Sequence, residues 1–215
     1  FPVTLMMMAG TIVLGSLLGF ILARAKVRGT GVASALARGY TMLMRCTPPI
    51  DLLFIIYYGV PELLMAVAGV DINSYAKSFF VIFTLTLLFA ATISEVMRSA
   101  YQAVDRGQRE AAVSMGLSET QAFLRITFPQ ALAVALPTAG TSVIALMKDG
   151  ALAYTIGLID MMGQGTLVIA RNFGAYGLET YLALALVYWF FTIIIERTFL
   201  VVENRLSRGR RPVAS

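Results

Sequence analysis

The chain has 215 residues, of which 58% are hydrophobic and 13% are charged, and its formal net charge is +5. A soluble domain usually carries about 25% charged residues, so the composition argues against one. The sequence has no His and a single Cys, which excludes histidine acid–base chemistry, a cysteine metal cluster and an internal disulfide. No P-loop or G-x-S-x-G pattern occurs, so we expect no catalytic residue and no metal site in this chain.

Five apolar runs predict five membrane-spanning helices, because about 20 apolar residues suffice to cross a bilayer. Two of the runs, at about 2–23 and 126–147, contain no charge at all. The five spans are predicted at about 2–23, 39–61, 77–103, 126–147 and 179–203. The predicted fold class is therefore all-α, a polytopic membrane protein.

The second run is interrupted by Arg45 and Asp51, and charges inside a membrane are costly. The two residues are six positions apart, which is beyond the spacing of a helical ion pair. Pro48 and Pro49 lie between them and could bring them closer by kinking the helix. Two interpretations stay open, a structural charge pair and the polar lining of a substrate path. Farther along the chain, Glu95 and Arg98 near the end of the third run are interpreted as structural or gating residues.

Most of the basic residues lie in alternate loops. Twelve of the 17 Lys and Arg residues follow the first, third and fifth runs: Arg24, Lys26, Arg28, Arg38, Arg98, Arg106, Arg109, Arg125, Arg205, Arg208, Arg210 and Arg211. Basic loops stay in the cytoplasm, which predicts an outside N-terminus and a cytoplasmic C-terminus. The bias explains the net charge without a nucleic-acid partner, and the basic tail is interpreted as a lipid-facing stop.

A polar passage between the third and fourth runs predicts a helix over about residues 105–116. Gly116 is placed to end this helix, and Ser118 with Gln121 predicts a capping box for the next one. Paired alanines keep the first helix slim, so it could lie in a cleft on another protein. An interfacial amphipathic helix without a partner is the alternative.

The fourth run ends at Lys148 and Asp149. Helix ends are places where transporters bind ligands, and a zwitterionic ligand needs a cation and an anion, which these two residues supply. A mutual salt bridge at the outer interface is the alternative. The candidate substrate-binding residues are Lys148, Asp149, Asp51 and Arg45.

The polar passage resembles the EAA loop of ABC importer permeases. Glu110-Ala111-Ala112 is followed after three residues by Gly116, then after nine by Ile126, and then by Phe128-Pro129, where Phe128 replaces the family's Leu. In that family the loop forms a coupling helix that docks into a groove on a cytoplasmic ATPase. The resemblance implies that the ATPase-coupling residues are Glu110, Ala111, Ala112, Met115, Gly116 and Leu117.

Further segments resemble the polar amino-acid subfamily, which comprises permeases for histidine, arginine, glutamine and cystine. They are Gly29-Thr30-Gly31, Arg38-Gly39-Tyr40-Thr41, the run from Arg45 to Pro61, Glu95 with Arg98, and Lys148 to Leu158. Cys46 and Asp51-Leu52 depart from that pattern, and so does Gly150-Ala151, where two hydroxyl residues are usual. The lost hydroxyls motivate a sulfur-containing amino acid such as cystine as one candidate substrate.

The resemblance implies a type I ABC importer permease fold, with residues 1–215 forming one permease domain in the bacterial inner membrane. It implies partners: two cytoplasmic ATPase subunits, a second permease chain, identical or homologous, and an extracytoplasmic solute-binding protein. ATP and Mg²⁺ would bind the ATPase, so we expect no cofactor on this chain. The alternatives are import of another small solute such as methionine, or an ion-coupled secondary transporter.

Overall fold

The computed structural model describes residues 2–27, 29 and 31–207, and in that part of the chain every regular element is a helix. The α-helices are α1 Pro2–Val27, α2 Val32–Cys46, α3 Pro49–Phe54, α4 Val60–Ala68, α5 Lys77–Gln102, α6 Arg106–Ser114, α7 Glu119–Ala122, α8 Phe128–Gly150, α9 Met161–Arg171 and α10 Gly177–Ser207. Five residues named in the sequence analysis lie outside the described residues: Arg28, Thr30, Arg208, Arg210 and Arg211.

Five helical segments are long and apolar enough to cross a membrane, which confirms the predicted all-α polytopic class. They are Pro2–Val27, Pro49–Ala68, Lys77–Gln102, Glu119–Ile156 and Gly177–Leu206. The third is the centre of the bundle, with 61% of its most apolar window buried, and the fifth lies at the edge with 0% buried. The core therefore forms around α5, and α10 leaves most of its surface uncovered by this chain.

Helix α1 packs along α5 through small residues on α1. Gly15 and Gly19 are buried on the face of α1 that meets α5. A Cβ atom at Gly19 would lie 2.4 Å from Cγ2 of Ile93, so only glycine allows the two helices this close an approach. Small residues at helix interfaces serve this purpose in membranes, where packing replaces the hydrophobic effect as the driving force.

The second crossing differs from the single helix predicted at about 39–61. Helix α2 ends at Cys46, Thr47 and Pro48 are extended, and α3 begins at Pro49. A residue before proline is pushed away from the helical region, and proline itself fits the first turn of a new helix. The adjacent prolines therefore break the helix where the sequence interpretation allowed only a kink, and the candidate span starts at Pro49.

Two π-helical turns lie within the membrane helices, and both precede a proline. Ile55–Gly59 joins α3 to α4 ahead of Pro61, and Phe123–Thr127 joins α7 to α8 ahead of Pro129. A proline ring clashes with the carbonyl four residues earlier and donates no hydrogen bond to it; a wider turn there relieves the clash. The fourth crossing consequently begins at Glu119, earlier than the predicted residue 126, because the helix continues through Arg125.

Candidate functional site

The polar passage after α5 forms a compact unit, here called the coupling segment (residues 105–122). Its first helix, α6, covers Arg106–Ser114, inside the predicted range of 105–116. The Asp105 carboxylate begins the helix by accepting a hydrogen bond from the Gly107 backbone N–H at 2.9 Å. This N-cap satisfies one of the backbone donors that the first turn of a helix leaves free.

A tight turn at Gly116 separates α6 from α7. Gly116 has a φ of 92°, a left-handed conformation that suits glycine. The Leu117 N–H donates to the Ala112 carbonyl at 3.2 Å, which closes the end of the helix. Ser118 and Gln121 then form the predicted capping box, with the Ser118 hydroxyl accepting from the Gln121 N–H at 3.3 Å. Local sequence signals thus fix both the end of α6 and the start of α7.

Side-chain contacts hold the coupling segment in this shape. Arg109 and Glu119 form an ion pair of 3.0 Å across the turn, and the Gln130 side-chain amide donates to Gln108. Ala112 is the buried residue of α6. These contacts tie one face of α6 to α7 and α8.

The opposite face of α6 is free. Of the predicted ATPase-coupling residues, Ala112 points inward and Leu117 is half-buried, and the others are exposed: Glu110, Ala111, Met115 and Gly116. The Met115 side chain is 85% exposed, and Glu110 forms no ion pair with any described residue. An exposed apolar tip beside an unpaired charge is the kind of surface that contacts another protein.

Glu95 and Arg98 belong to a larger group, here called the charge cluster (Lys26, Glu95 and Arg98). The Lys26 ammonium donates to Glu95 Oε1 at 2.7 Å and to the Ser94 hydroxyl at 2.8 Å. The other Glu95 oxygen accepts from Arg98 at 2.7 Å. Lys26 is only 4% exposed, so its charge depends on Glu95. The cluster joins the last turn of α1 to α5, four residues or more before α5 ends at Gln102.

The sequence interpretation missed Lys26 as a member of this cluster, since it lies 69 residues from Glu95. A signal existed: α1 and α5 have the same length of 26 residues. The two pack parallel, with Gly15 against Phe89 and Gly19 against Ile93, so a lysine near the end of one meets an acid near the end of the other.

The end of α8 brings together three polar residues from two helices. Asp149 is half-buried, and with Ser142 and Thr92 of α5 it lines a cavity of about 50 Å³ whose remaining walls are apolar. The Ser142 hydroxyl donates to the Thr138 carbonyl at 2.9 Å and the Thr92 hydroxyl to the Leu88 carbonyl at 3.3 Å. Their oxygens can still accept hydrogen bonds from a ligand.

The other predicted substrate residues lie outside this cavity. Lys148 is exposed and does not line it, and no ion pair joins Lys148 to Asp149 among the described residues. Arg45 and Asp51 are both exposed, on opposite sides of the helix break, and they form no ion pair with each other or with another described residue. The proposed Arg45–Asp51 charge pair is therefore wrong for this chain alone. A path-lining role stays a prediction.

A second polar residue that the sequence interpretation missed is Asp160, in the loop before α9. It is 0% exposed, and its Oδ1 caps α9 by accepting from the Gly163 N–H at 2.8 Å. Its Oδ2 has no hydrogen-bond partner among the described residues, and burial raises the pKa of this carboxyl. The next N–H, of Met161, donates to the Thr4 hydroxyl at 3.3 Å, so this loop fastens α9 to the start of α1.

Comparison with known proteins identifies the family. Residues 15–208 match the family described as "Binding-protein-dependent transport system inner membrane component". The chain belongs to this family. Among relatives of this permease, the "L-cystine transport system permease protein TcyL" of Bacillus subtilis is 37% identical over 215 residues, covering 100% of this chain and 88% of that protein. The "Histidine/lysine/arginine/ornithine transport system permease protein HisQ" of Salmonella typhimurium is 32% identical, covering 96% of this chain and 91% of that protein.

The fold leads to the same family. The permease superposes on a solved structure titled "Crystal structure of an amino acid ABC transporter with histidines" with a TM-score of 0.80 and 27% identity, covering 94% of this chain and 90% of that one. The predicted type I ABC importer permease fold is therefore confirmed, and so is the predicted role as a permease subunit of an importer.

Proposed function

We propose that this permease is the membrane subunit of an ATP-driven importer of a polar amino acid, and that cystine is the first substrate to test. Two separate observations support the substrate class. The relative TcyL is named for L-cystine transport, and the sequence carries Gly150-Ala151 where hydroxyl residues are usual in the amino-acid subfamily.

The observation that carries the proposal is the free face of α6. One face of the helix is held by the Arg109–Glu119 ion pair and by buried Ala112. The other presents Glu110 outward, and Met115 is exposed just past the end of the helix. On this face, a cytoplasmic ATPase docks and transmits force. Binding of ATP and Mg²⁺ closes the ATPase pair, α6 moves with it, and the bundle changes between inward and outward access. ATP shifts that equilibrium only by binding the two states with different affinity.

The transport path needs a second permease chain, identical or homologous. A single chain offers a cavity of about 50 Å³ beside Asp149, whereas ligand pockets in proteins start at about 300 Å³. The apolar window of α10 is 0% buried within this chain. A second bundle would complete the cavity, and two such chains would rest on two ATPase subunits. The basic loops and the coupling segment face the cytoplasm in this arrangement, with the N-terminus outside.

The substrate contacts follow from charge. Asp149 is the anion for the substrate's ammonium group, with the Ser142 and Thr92 oxygens as further acceptors beside it. Lys148, exposed at the same helix end, is the cation for the carboxylate. Arg45 and Asp51 lie at the break in the second crossing, where they would line the path on the way to this site.

The test is uptake into liposomes that contain the permease, its ATPase and its solute-binding protein. Labelled cystine should accumulate only when ATP is present, with histidine, arginine, glutamine and methionine as competitors that rank the substrate. Accumulation of methionine alone would overturn the polar amino-acid assignment. Uptake by the permease alone, driven by an ion gradient without ATP, would overturn the whole proposal in favour of an ion-coupled secondary transporter.

A further inference from the structure

A large apolar groove, here called the lateral groove, opens between α1, α5 and α8 on the side of the coupling segment. It encloses about 790 Å³. One wall is a row of alanines on α8, Ala131, Ala135 and Ala139, spaced four residues apart and so on one face of the helix. The small side chains leave a channel in the bundle where larger residues would have filled it.

The lateral groove has the length of one bilayer leaflet. Along α1 its lining runs from Ile12 to Val27, and fifteen residues of α-helix rise about 22 Å. Half of a bilayer is about 15 Å of hydrocarbon, or about 20–22 Å with its headgroup region. The groove therefore begins near the bilayer centre and reaches the headgroup level at the end where the coupling segment lies.

The mouth of the lateral groove carries an unused positive charge. Arg24 lines the mouth and is exposed, and it forms no ion pair with any described residue. Its neighbour Lys26 is paired with Glu95. The acid at the mouth, Glu119, is paired with Arg109. An anion at the mouth would therefore meet Arg24 as its free partner.

We propose that the lateral groove binds an acyl chain of an anionic phospholipid, with the lipid phosphate at Arg24. The walls are apolar and suit a hydrocarbon chain; a zwitterionic amino acid would find few polar partners there. A second copy of this chain would bring the same excess of basic residues to this end, so charge favours the anionic lipid. This site is separate from the proposed import function.

The bound chain would also touch the coupling segment's connection to the membrane. Phe123 and Leu124, in the π-helical turn between α7 and α8, line the lateral groove, and Leu124 is 56% exposed. An acyl chain there fills the space beside the turn that links α6 to the bundle. The lipid thus contacts the element through which α6 would act on the membrane helices.

The experiment uses the permease with its ATPase, reconstituted in nanodiscs of equal parts phosphatidylglycerol and phosphatidylcholine and measured by native mass spectrometry. The wild type should retain a phosphatidylglycerol on each permease chain. Ala131→Trp, which fills the lateral groove, should lose it, whereas Ala133→Trp, on the same helix but outside the groove lining, should retain it. Both variants must still co-purify with the ATPase.

The headgroup is tested separately. Arg24→Gln should lower the preference for phosphatidylglycerol over phosphatidylcholine about fivefold, the effect of one basic residue near the surface. Arg38→Gln removes the same charge from a neighbouring helix outside the groove lining and should change nothing. Equal lipid retention by Ala131→Trp and the wild type would overturn the proposal. So would a disulfide between two copies of Ala131→Cys in a Cys46→Ser background, because a second chain would then cover the groove.

Discussion

The permease carries its membrane charges in two different ways. In the charge cluster, Glu95 meets Lys26 at 2.7 Å on one side and Arg98 at 2.7 Å on the other. At the end of α8, Lys148 and Asp149 are adjacent in sequence and yet form no ion pair among the described residues. The paired group lies near the coupling segment, and the unpaired group lies at the opposite end of the bundle.

The difference distinguishes charges that stabilise the fold from charges that are free to bind a partner. A charge that is paired within the chain holds two helices together, because removing its partner leaves a buried ion without a counter-ion. A charge that stays unpaired is free to bind a substrate, a lipid or another subunit, and within the membrane it needs such a partner. On this basis we expect Lys26, Glu95 and Arg98 to be structural, and Glu110, Lys148 and Asp149 to be available for function. Each prediction below tests one side of this division.

The largest effect is expected from Glu110→Lys on α6. Reversing an exposed, unpaired charge in the docking surface should abolish transport while the protein still inserts into the membrane and keeps its melting temperature. Uptake and substrate-stimulated ATP turnover measure this. The same reversal at Glu179, exposed at the start of α10, should leave the ATPase bound. Normal substrate-stimulated ATP turnover in Glu110→Lys would contradict the assignment of α6.

Glu95→Gln should produce the opposite outcome. It leaves the buried Lys26 ammonium without its counter-ion, which costs about 3 kcal/mol of stability. Thermal unfolding in detergent should show this loss. Glu196→Gln, at an exposed acid of α10 without an ion pair among the described residues, should change stability by less than about 0.5 kcal/mol. If Glu95→Gln unfolds at the wild-type temperature, the charge cluster is not structural.

Asp149→Asn should reduce transport without affecting the fold. A hydrogen bond to a charged group contributes about 1.5–3 kcal/mol, so we expect at least a roughly tenfold loss of uptake at low substrate concentration. The melting temperature should stay at the wild-type value, because the described part of the chain pairs no cation with Asp149. If Asp149→Asn is destabilised but its folded fraction transports normally, Asp149 is a structural charge and not a substrate contact.

The smallest effect is expected at the exposed ion pair between Arg109 and Glu119, which are 41% and 66% exposed. Exposed pairs contribute about 0–1 kcal/mol. A double-mutant cycle of Arg109→Gln and Glu119→Gln should give a coupling energy below about 1 kcal/mol, and high salt should remove it. A coupling energy of several kcal/mol would show that this ion pair stabilises the coupling segment as strongly as the charge cluster stabilises the bundle.

Much of the fold could be predicted from the sequence because the decisive signals are local. The apolar runs, the turn at Gly116 and the Ser118 capping box each depend on a few neighbouring residues, and all three appear in the structure. The break at Thr47–Pro48 was also local. The sequence predicts only a kink there because the apolar run continues across it.

The parts that could not be predicted depend on contacts between distant segments. Lys26 is a buried member of the charge cluster only because α1 packs on α5 through Gly15 and Gly19. The cavity beside Asp149 exists because Thr92 of α5 faces Ser142 of α8. No local spacing in the sequence predicts either contact. The lateral groove likewise requires three helices to pack around a row of alanines.

The measurement that tests the central claim most directly is a gentle pull-down of tagged permease from its native membrane, followed by mass spectrometry. An ATPase with a P-loop should co-purify with the wild type and be lost from Glu110→Lys, and any second membrane chain would distinguish a heterodimer from a homodimer. If the wild type comes out alone while known complexes survive the same detergent, α6 is not an ATPase-docking helix, and the unpaired charges would have to serve an ion-coupled path.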